Sequence, residues 1–319
     1  MTIAYAPGKV ILCGEHAVVY GRPAIAVPVS EVQAQACVEP APAGQGIVIH
    51  ALDLDRVVRL AEAPDTEPLA RITRLALQAL GAPIDLDLDV FVTSTIPVAR
   101  GMGSGAAVST AIVRVLDQHL RGYPPYPGWT GRWLPSRAIS DLVYQTEVLY
   151  HGTPSGIDNT VVAYEKPVYF VKDAGWQIFW PARPFWLLIA DSGIESPTRE
   201  AVGDLRRRYQ DAPDRYEPLF DRIGAVAVAA RAAIEQGEVE ALGRLMAQNH
   251  VLLRDIGVSH PALDQLVVAA RDGGALGAKM SGAGWGGNVI ALADEATSGQ
   301  IDMMLRVAGA VNVITTRVQ

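Results

Sequence analysis

Apolar and polar positions alternate strictly from Asp85 to Val90 in "DLDLDVFV", with Leu86, Leu88 and Val90 set against Asp85, Asp87 and Asp89. That period of two predicts a half-buried strand. The strand leads into a glycine-rich turn, after which Ala107, Ala111 and Val115, with Val108 and Ile112, recur every three or four positions. This spacing predicts a helix with one buried face. "TIAYAPGKVILCGEH" reads as two short strands broken at Pro7 and Gly8, and "PAIAVPVSEVQAQACVEP" as one strand or two. Helical spacing returns in "EPLARITRLALQAL" and in "RAISDLVYQTEVLYHG", the second helix capped by Ser136. Just before Ser136, "RGYPPYPGWTGRWLP" has no period and reads as a surface loop. "TVVAYEKPVYFVK" and "QIFWPARPFWLLIADSG" read as strands, followed by long helices over 199–210, 216–236, 238–254 and 261–272. The C-terminal "GALGAKMSGAGWGGNVIALA" and "VNVITTRVQ" return to strands. Strands and helices mixed without a regular βαβ beat predict an α+β protein. The change of pattern at 183–190 predicts two lobes, 1–185 and 186–319.

Composition narrows the function more than the fold. Half of the 319 residues are hydrophobic and 19% are charged, as in a well-packed globular chain. A net charge of -7 argues against nucleic acid or an anionic membrane as partner, so an anionic ligand has to be met by local charge, a metal or backbone N–H groups. Cys13 and Cys37 are the only cysteines; they make no disulfide framework and suit a reducing compartment. No basic leader and no long apolar run precede the first strand, so a cytoplasmic location is expected.

Candidate chemistry clusters in a few places. A glycine-rich turn opening a helix presents free N–H groups and the positive end of the helix dipole to an anion. Gly101, Gly103 and Ala106 also fit a dinucleotide fingerprint, but no second strand with an acidic end follows at the required distance. The phosphate-loop pattern ending in Gly-Lys-Ser/Thr is absent. Ile139, Val143, Thr146 and Tyr150 make an apolar stripe, and Glu147 falls on it. An inward carboxylate wants a cation, either a metal or an Arg or Lys partner. Asp158 follows the Pro154–Gly156 turn, where it can face a cleft or simply cap the turn. Lys9, the Glu15–His16 pair and the glycines of "KMSGAGWGGN" offer a point charge, a polar turn and close backbone approach.

Taken together and in this order, "APGKVILCGEHAVVYG", "IPVARGMGSGAAVS" and "KMSGAGWGGN" resemble the three motifs of the GHMP kinases. The resemblance runs over essentially the whole chain. The first segment and "YHGTPSGIDN" look most like the mevalonate-phosphorylating branch. The resemblance implies a two-lobed fold, with an N-lobe like ribosomal protein S5 domain 2 and a ferredoxin-like C-lobe. It also implies ATP- and magnesium-dependent phosphorylation of the mevalonate C5 hydroxyl in isoprenoid biosynthesis. Phosphomevalonate, homoserine or a non-catalytic nucleotide-binding role are the alternatives. Residue by residue, it implies an ATP-phosphate cradle at Gly101, Met102, Gly103, Ser104, Gly105, Ala106 and Ala107. Asp158 is then the catalytic base and Lys9 the cation paired with it; Glu147 and Ser104 are magnesium ligands. Glu15, His16, Thr198, Gly282 and Ala283 lie on the substrate side. Two departures stand out. Gly105 replaces a second serine common in relatives, and Trp285 interrupts the glycines of the third motif, where its ring is expected to point outward. The expected partner is a small-molecule substrate, with no nucleic acid and no membrane; a homodimer is one assembly the chain could form.

Overall fold

A computed structural model describes residues 1–98, 100–121, 133–151 and 154–319, the side chains of 150 and 151 apart. The aromatic-rich connector after residue 121, Tyr150 of the apolar stripe and part of the "HGTPSG" turn therefore lie outside what is described. The chain packs as two compact units, each discontinuous in sequence. One holds 1–8, 32–97 and 103–165, and the other holds 9–31, 98–102 and 166–319. The lobes 1–185 and 186–319 therefore do not each coincide with one unit: residues 9–31, 98–102 and 166–185 fall in the second.

The first two strands are β1 (Thr2–Cys13) and β2 (Ala24–Pro40). β1 is continuous through Pro7 and Gly8 where two strands were expected. Among the described residues its strand partner is β2, so the missing N–H of Pro7 can face the open side of the ladder.

In the first unit, residues 34–40 of β2 pair antiparallel with β5 (Leu88–Ser94), and β5 pairs parallel with β3 (Ile47–Ala51). β4 (Arg56–Arg59) closes that edge. The alternating aspartates were expected to lie wholly in the strand, but β5 begins only at Leu88. Asp87 instead turns its carboxylate onto the N–H groups of Gly44 and Gly46, at 2.9 and 2.8 Å. Helices α1 (Pro68–Leu80), α2 (Ser104–Leu120), α3 (Ser136–His151) and α4 (Ile157–Tyr164) pack on one another beside this sheet. The predicted stripe on α3 is buried at Ile139, Val143 and Thr146. α4 corrects the reading of "TVVAY" as strand. Gly156, at φ 92°, starts a helix there, and Asn159 anchors it by donating to the Ser140 carbonyl and hydroxyl on α3. Packing overrides the β-branched propensity.

In the second unit, residues 24–26 of β2 pair with β6 (Val168–Val171), which pairs with β7 (Gly175–Ile178). A separate antiparallel sheet runs in the order β11-β8-β10-β9, from β8 (Phe185–Asp191), β9 (Gly277–Ser281), β10 (Asn288–Ala293) and β11 (Asn312–Val318). Helices α5 (Thr198–Asp211), α6 (Pro213–Gln236), α7 (Val239–Asp255) and α8 (Pro261–Asp272) match the four expected long helices closely. α9 (Ser298–Val307) was not foreseen. β9 and β10 are buried at every position, so neither shows the alternation of a one-sided strand.

α7 lies unusually close to β9. A Cβ on Gly243 would come within 2.3 Å of the Leu276 carbonyl oxygen, and one on Gly277 within 2.0 Å of the Gly243 oxygen. Replacing a helical glycine by alanine ordinarily stabilises by about 1 kcal/mol. Here Gly243→Ala is expected to destabilise instead, by about 2 kcal/mol or more, because helix and strand must separate. A urea midpoint equal to or above wild type would refute the close packing.

Candidate active site

In the second unit, three motifs far apart in sequence meet through backbone. The Lys9 N–H on β1 donates to the Met102 carbonyl at 3.0 Å. An ideal Cβ on Gly101 (φ 73°) would stand 4.0 Å from the Gly282 Cα, so the glycine turns of the second and third motifs lie close together. Ser281, at the end of β9, exchanges hydrogen bonds with Ile11 of β1, accepting from its N–H at 3.2 Å and donating to its carbonyl at 2.9 Å. The Lys9 side chain is buried at this junction.

The turn after β1 is strained. His16 has φ 60° and ψ -50°, and the Ala17 N–H donates to the Glu15 carbonyl at 2.6 Å, a γ-turn of the rare positive-φ kind. The His16 Nε2 lies 2.9 Å from the Ala283 carbonyl in the third motif. A carbonyl can only accept, so Nε2 carries the proton and Nδ1 is the lone-pair nitrogen. Burial, with Arg208 and Lys279 also repelling a further charge, holds the His16 pKa down to about 4. The ring is neutral.

Glu15 was expected to meet substrate directly. It is 1% exposed, and its two carboxylate oxygens accept from the Lys279 ammonium and from Asn249 Nδ2. Lys279, itself fully buried, also donates to the Met280 carbonyl. Burial pushes the Glu15 carboxyl above its ordinary value while the Lys279 charge pulls the other way. Glu15 therefore holds the turn that presents His16. Cys13 beside it is an inert thiol, pushed up to about 12 chiefly by burial.

The third motif carries positive φ at Gly282, Gly284, Trp285 and Gly287. A Cβ at Gly284 would lie 1.9 Å from the Val258 oxygen, so only glycine fits there. Trp285 turns back toward the protein, its main-chain N–H on the Val258 carbonyl at 2.9 Å and its indole N–H on the Gly257 carbonyl at 3.4 Å. Ser196 donates to the Gly284 carbonyl at 2.8 Å and so ties the start of α5 to this loop. Thr198 is the exposed first residue of α5; its hydroxyl donates to the Ser196 carbonyl, and Pro197 holds the cap position.

In the first unit, Gly103 (φ 72°) precedes α2, whose first turn has no side-chain cap and no acidic residue. Ser104 and Gly105 are half-buried, and Ala106 and Ala107 are buried. Glu147 is buried on α3, as its place on the stripe predicted, and Asp158 is the half-buried second residue of α4. Among the described residues, no three His, Cys, Asp or Glu side chains come together as a protein-only metal cage.

The N-terminal family model of the GHMP kinases matches residues 69–166, and the C-terminal one matches residues 230–301. Mevalonate kinase from Pyrococcus furiosus is 33% identical over 98% of this chain and 95% of its own length. The chain belongs to the GHMP kinases. Mevalonate kinase from Pyrococcus horikoshii, also 33% identical, aligns with 98% of this kinase and 94% of itself. The crystal structure of L. major mevalonate kinase in complex with R-mevalonate superimposes with a TM-score of 0.81 at 28% identity, covering 100% of this kinase and 96% of that chain. The expected GHMP kinase fold is thus the observed one. Lys279, Asn249, Asn288 and Arg100, which hold these turns in place, were passed over by motif reading. A lysine inside the otherwise apolar and small-residue "GAKMS" was the signal available for the first.

Two measurements follow from this geometry. Lys279→Met leaves Glu15 buried without its cation and is expected to cost about 3–5 kcal/mol, most of it recovered by adding Glu15→Leu. Unchanged stability of the single variant would refute the pair. His16 and His250 are both held near 4 in the fold, His250 mainly by burial against the opposing charge of Asp264, with Lys279 and Arg254 adding to the depression. Their unfolded values lie near 6.5, so the unfolded chain binds more protons in between. Their stabilisation is complete above that value and is lost as pH falls from 6.5 toward 4, with a slope of up to about 2.7 kcal/mol per pH unit for the two. A flat urea midpoint across this window would contradict the assignment.

Proposed function

We propose that this GHMP kinase transfers the γ-phosphoryl group of ATP to the C5 hydroxyl of mevalonate. The observation that carries the reading is the backbone convergence of Lys9, the Gly101 turn and the Gly282–Gly287 turn, with a neutral His16 at its side. Three glycine-bearing segments drawn this close bring main-chain N–H groups together where few side chains intervene at the glycines, which suits a polyphosphate. Relatives that align over nearly the full length are mevalonate kinases.

In this reading Gly101 to Ala107 cradle the phosphates with main-chain N–H groups and the uncapped start of α2. Asp158 accepts the proton of the C5 hydroxyl as that oxygen attacks the γ-phosphorus and ADP departs. Lys9 supplies positive charge to the transferring group. His16 offers its Nδ1 lone pair to a substrate hydroxyl, and Thr198, Gly282 and Ala283 border the substrate. Phosphoryl transfer has a loose transition state, so position and electrostatics carry most of the acceleration. Magnesium, where bound, neutralises charge on the phosphates. The donors here fit it: Glu147 is a buried carboxylate, Ser104 a hydroxyl at the start of α2, and both are hard oxygen ligands.

An ADP-release assay across mevalonate, phosphomevalonate, homoserine and galactose is expected to respond to mevalonate alone. Turnover of another alcohol without mevalonate would overturn the substrate assignment. Asp158→Ala is expected to lower kcat roughly 10²–10⁴-fold with ATP binding retained; wild-type turnover would remove Asp158 from its role.

A further inference from the structure

The peptide joining Arg100 to Gly101 is gripped from one side. Asn288, 2% exposed at the start of β10, donates from Nδ2 to the Arg100 carbonyl at 2.6 Å. The Arg100 guanidinium reaches back to the end of β8, with Nε 3.2 Å from Asp191 Oδ2 and Nη2 donating to the Gly193 carbonyl at 3.3 Å. Asp191 is itself fixed, accepting from the Gly193 N–H at Oδ1 (2.8 Å) and, at its carbonyl, from the Val311 N–H (2.9 Å). Asn288 stands opposite Asp191 on one neighbour strand and Ser281 on the other, so the donor sits on a strand paired along both edges. The next carbonyl but one, that of Met102, is held by Lys9.

A trans peptide is planar, with its C=O and N–H pointing in opposite directions. Holding the Arg100 oxygen against Asn288 therefore turns the Gly101 N–H away from β10. Among the described residues that N–H has no acceptor. We propose that Asn288, braced by the Arg100–Asp191 pair, is a positioning residue for nucleotide: it aims the Gly101 N–H at a phosphate oxygen and prevents the peptide from flipping. A flipped peptide would present a carbonyl oxygen to the phosphates, exchanging an attraction for a repulsion. The proposal rests on reading the Gly101 turn as the phosphate cradle.

The test is ADP binding by calorimetry on the full-length protein, alongside KM for ATP, KM for mevalonate and the melting temperature. Asn288→Asp is nearly isosteric but sets an acceptor against the Arg100 carbonyl. It is expected to weaken ADP binding and raise KM for ATP by about tenfold or more, the equivalent of one lost hydrogen bond plus its reversal. KM for mevalonate should stay within about twofold of wild type. Asn288→Ala should weaken ADP binding less, and Asp191→Asn, which slackens the brace, by about threefold, again under one hydrogen bond's worth. These two variants carry the test if Asn288→Asp does not accumulate. ADP affinity within twofold of wild type in the variants that fold would overturn the positioning role alone. A folded wild-type protein that binds no ADP would overturn the cradle reading with it.

Discussion

A lysine with no solvent exposure and a glutamate with almost none are joined beneath the strained turn. Either charge alone would cost several kcal/mol in that interior, so each requires the other. The pair ties residue 15, just past β1, to residue 279 on β9, with Asn249 of α7 completing the glutamate's bonds. Two glycine-bearing turns thereby receive fixed origins. The first passes through His16 in a backbone conformation that side chains avoid; the second begins at Gly282, three residues beyond Lys279. The strain at His16 persists because the residues on both sides of the turn are held.

Close backbone approach is the second constraint. Gly284 and Gly286 lie so near the Val258 and Glu195 carbonyls that a Cβ would collide with either. The same economy recurs where α7 meets β9 at Gly243 and Gly277. Side chains are excluded from these seams, which keeps main-chain groups in register with one another. A phosphate-binding surface built from N–H groups needs that register, since a peptide that rotates changes a donor into an acceptor. Arg100 and Asn288 act on this same variable from outside the glycines, through a carbonyl rather than through the ligand.

Motif residues were the most legible part of the site. Glu147 could be placed on the inward face of α3 from spacing alone, because a helix repeats every 3.6 residues and its stripe was well marked. The long helices of the second unit were legible for the same reason. Less legible were "TVVAY", whose β-branched residues argued for strand, and β1, whose Pro-Gly argued for a break. In both places a neighbouring element decided the outcome: Ser140 of α3 in the first, and pairing with β2 in the second. Local propensity is worth tenths of a kcal/mol per residue, and tertiary packing exceeds it.

Order and spacing of residues by themselves determined the family, the glycine turns and the identity of most candidate side chains, because those depend on local chemistry repeated in a fixed sequence. What Glu15 does was decided only by the tertiary structure. In the sequence it stands beside a histidine in a polar turn; in the fold it answers a lysine 264 positions away. The partners of Trp285, Arg100 and Asn288 were settled in the same way. Periodicity reports which face of an element is buried, but it carries no information about which distant group waits there, and for a buried charge or a clamped carbonyl that partner is the function.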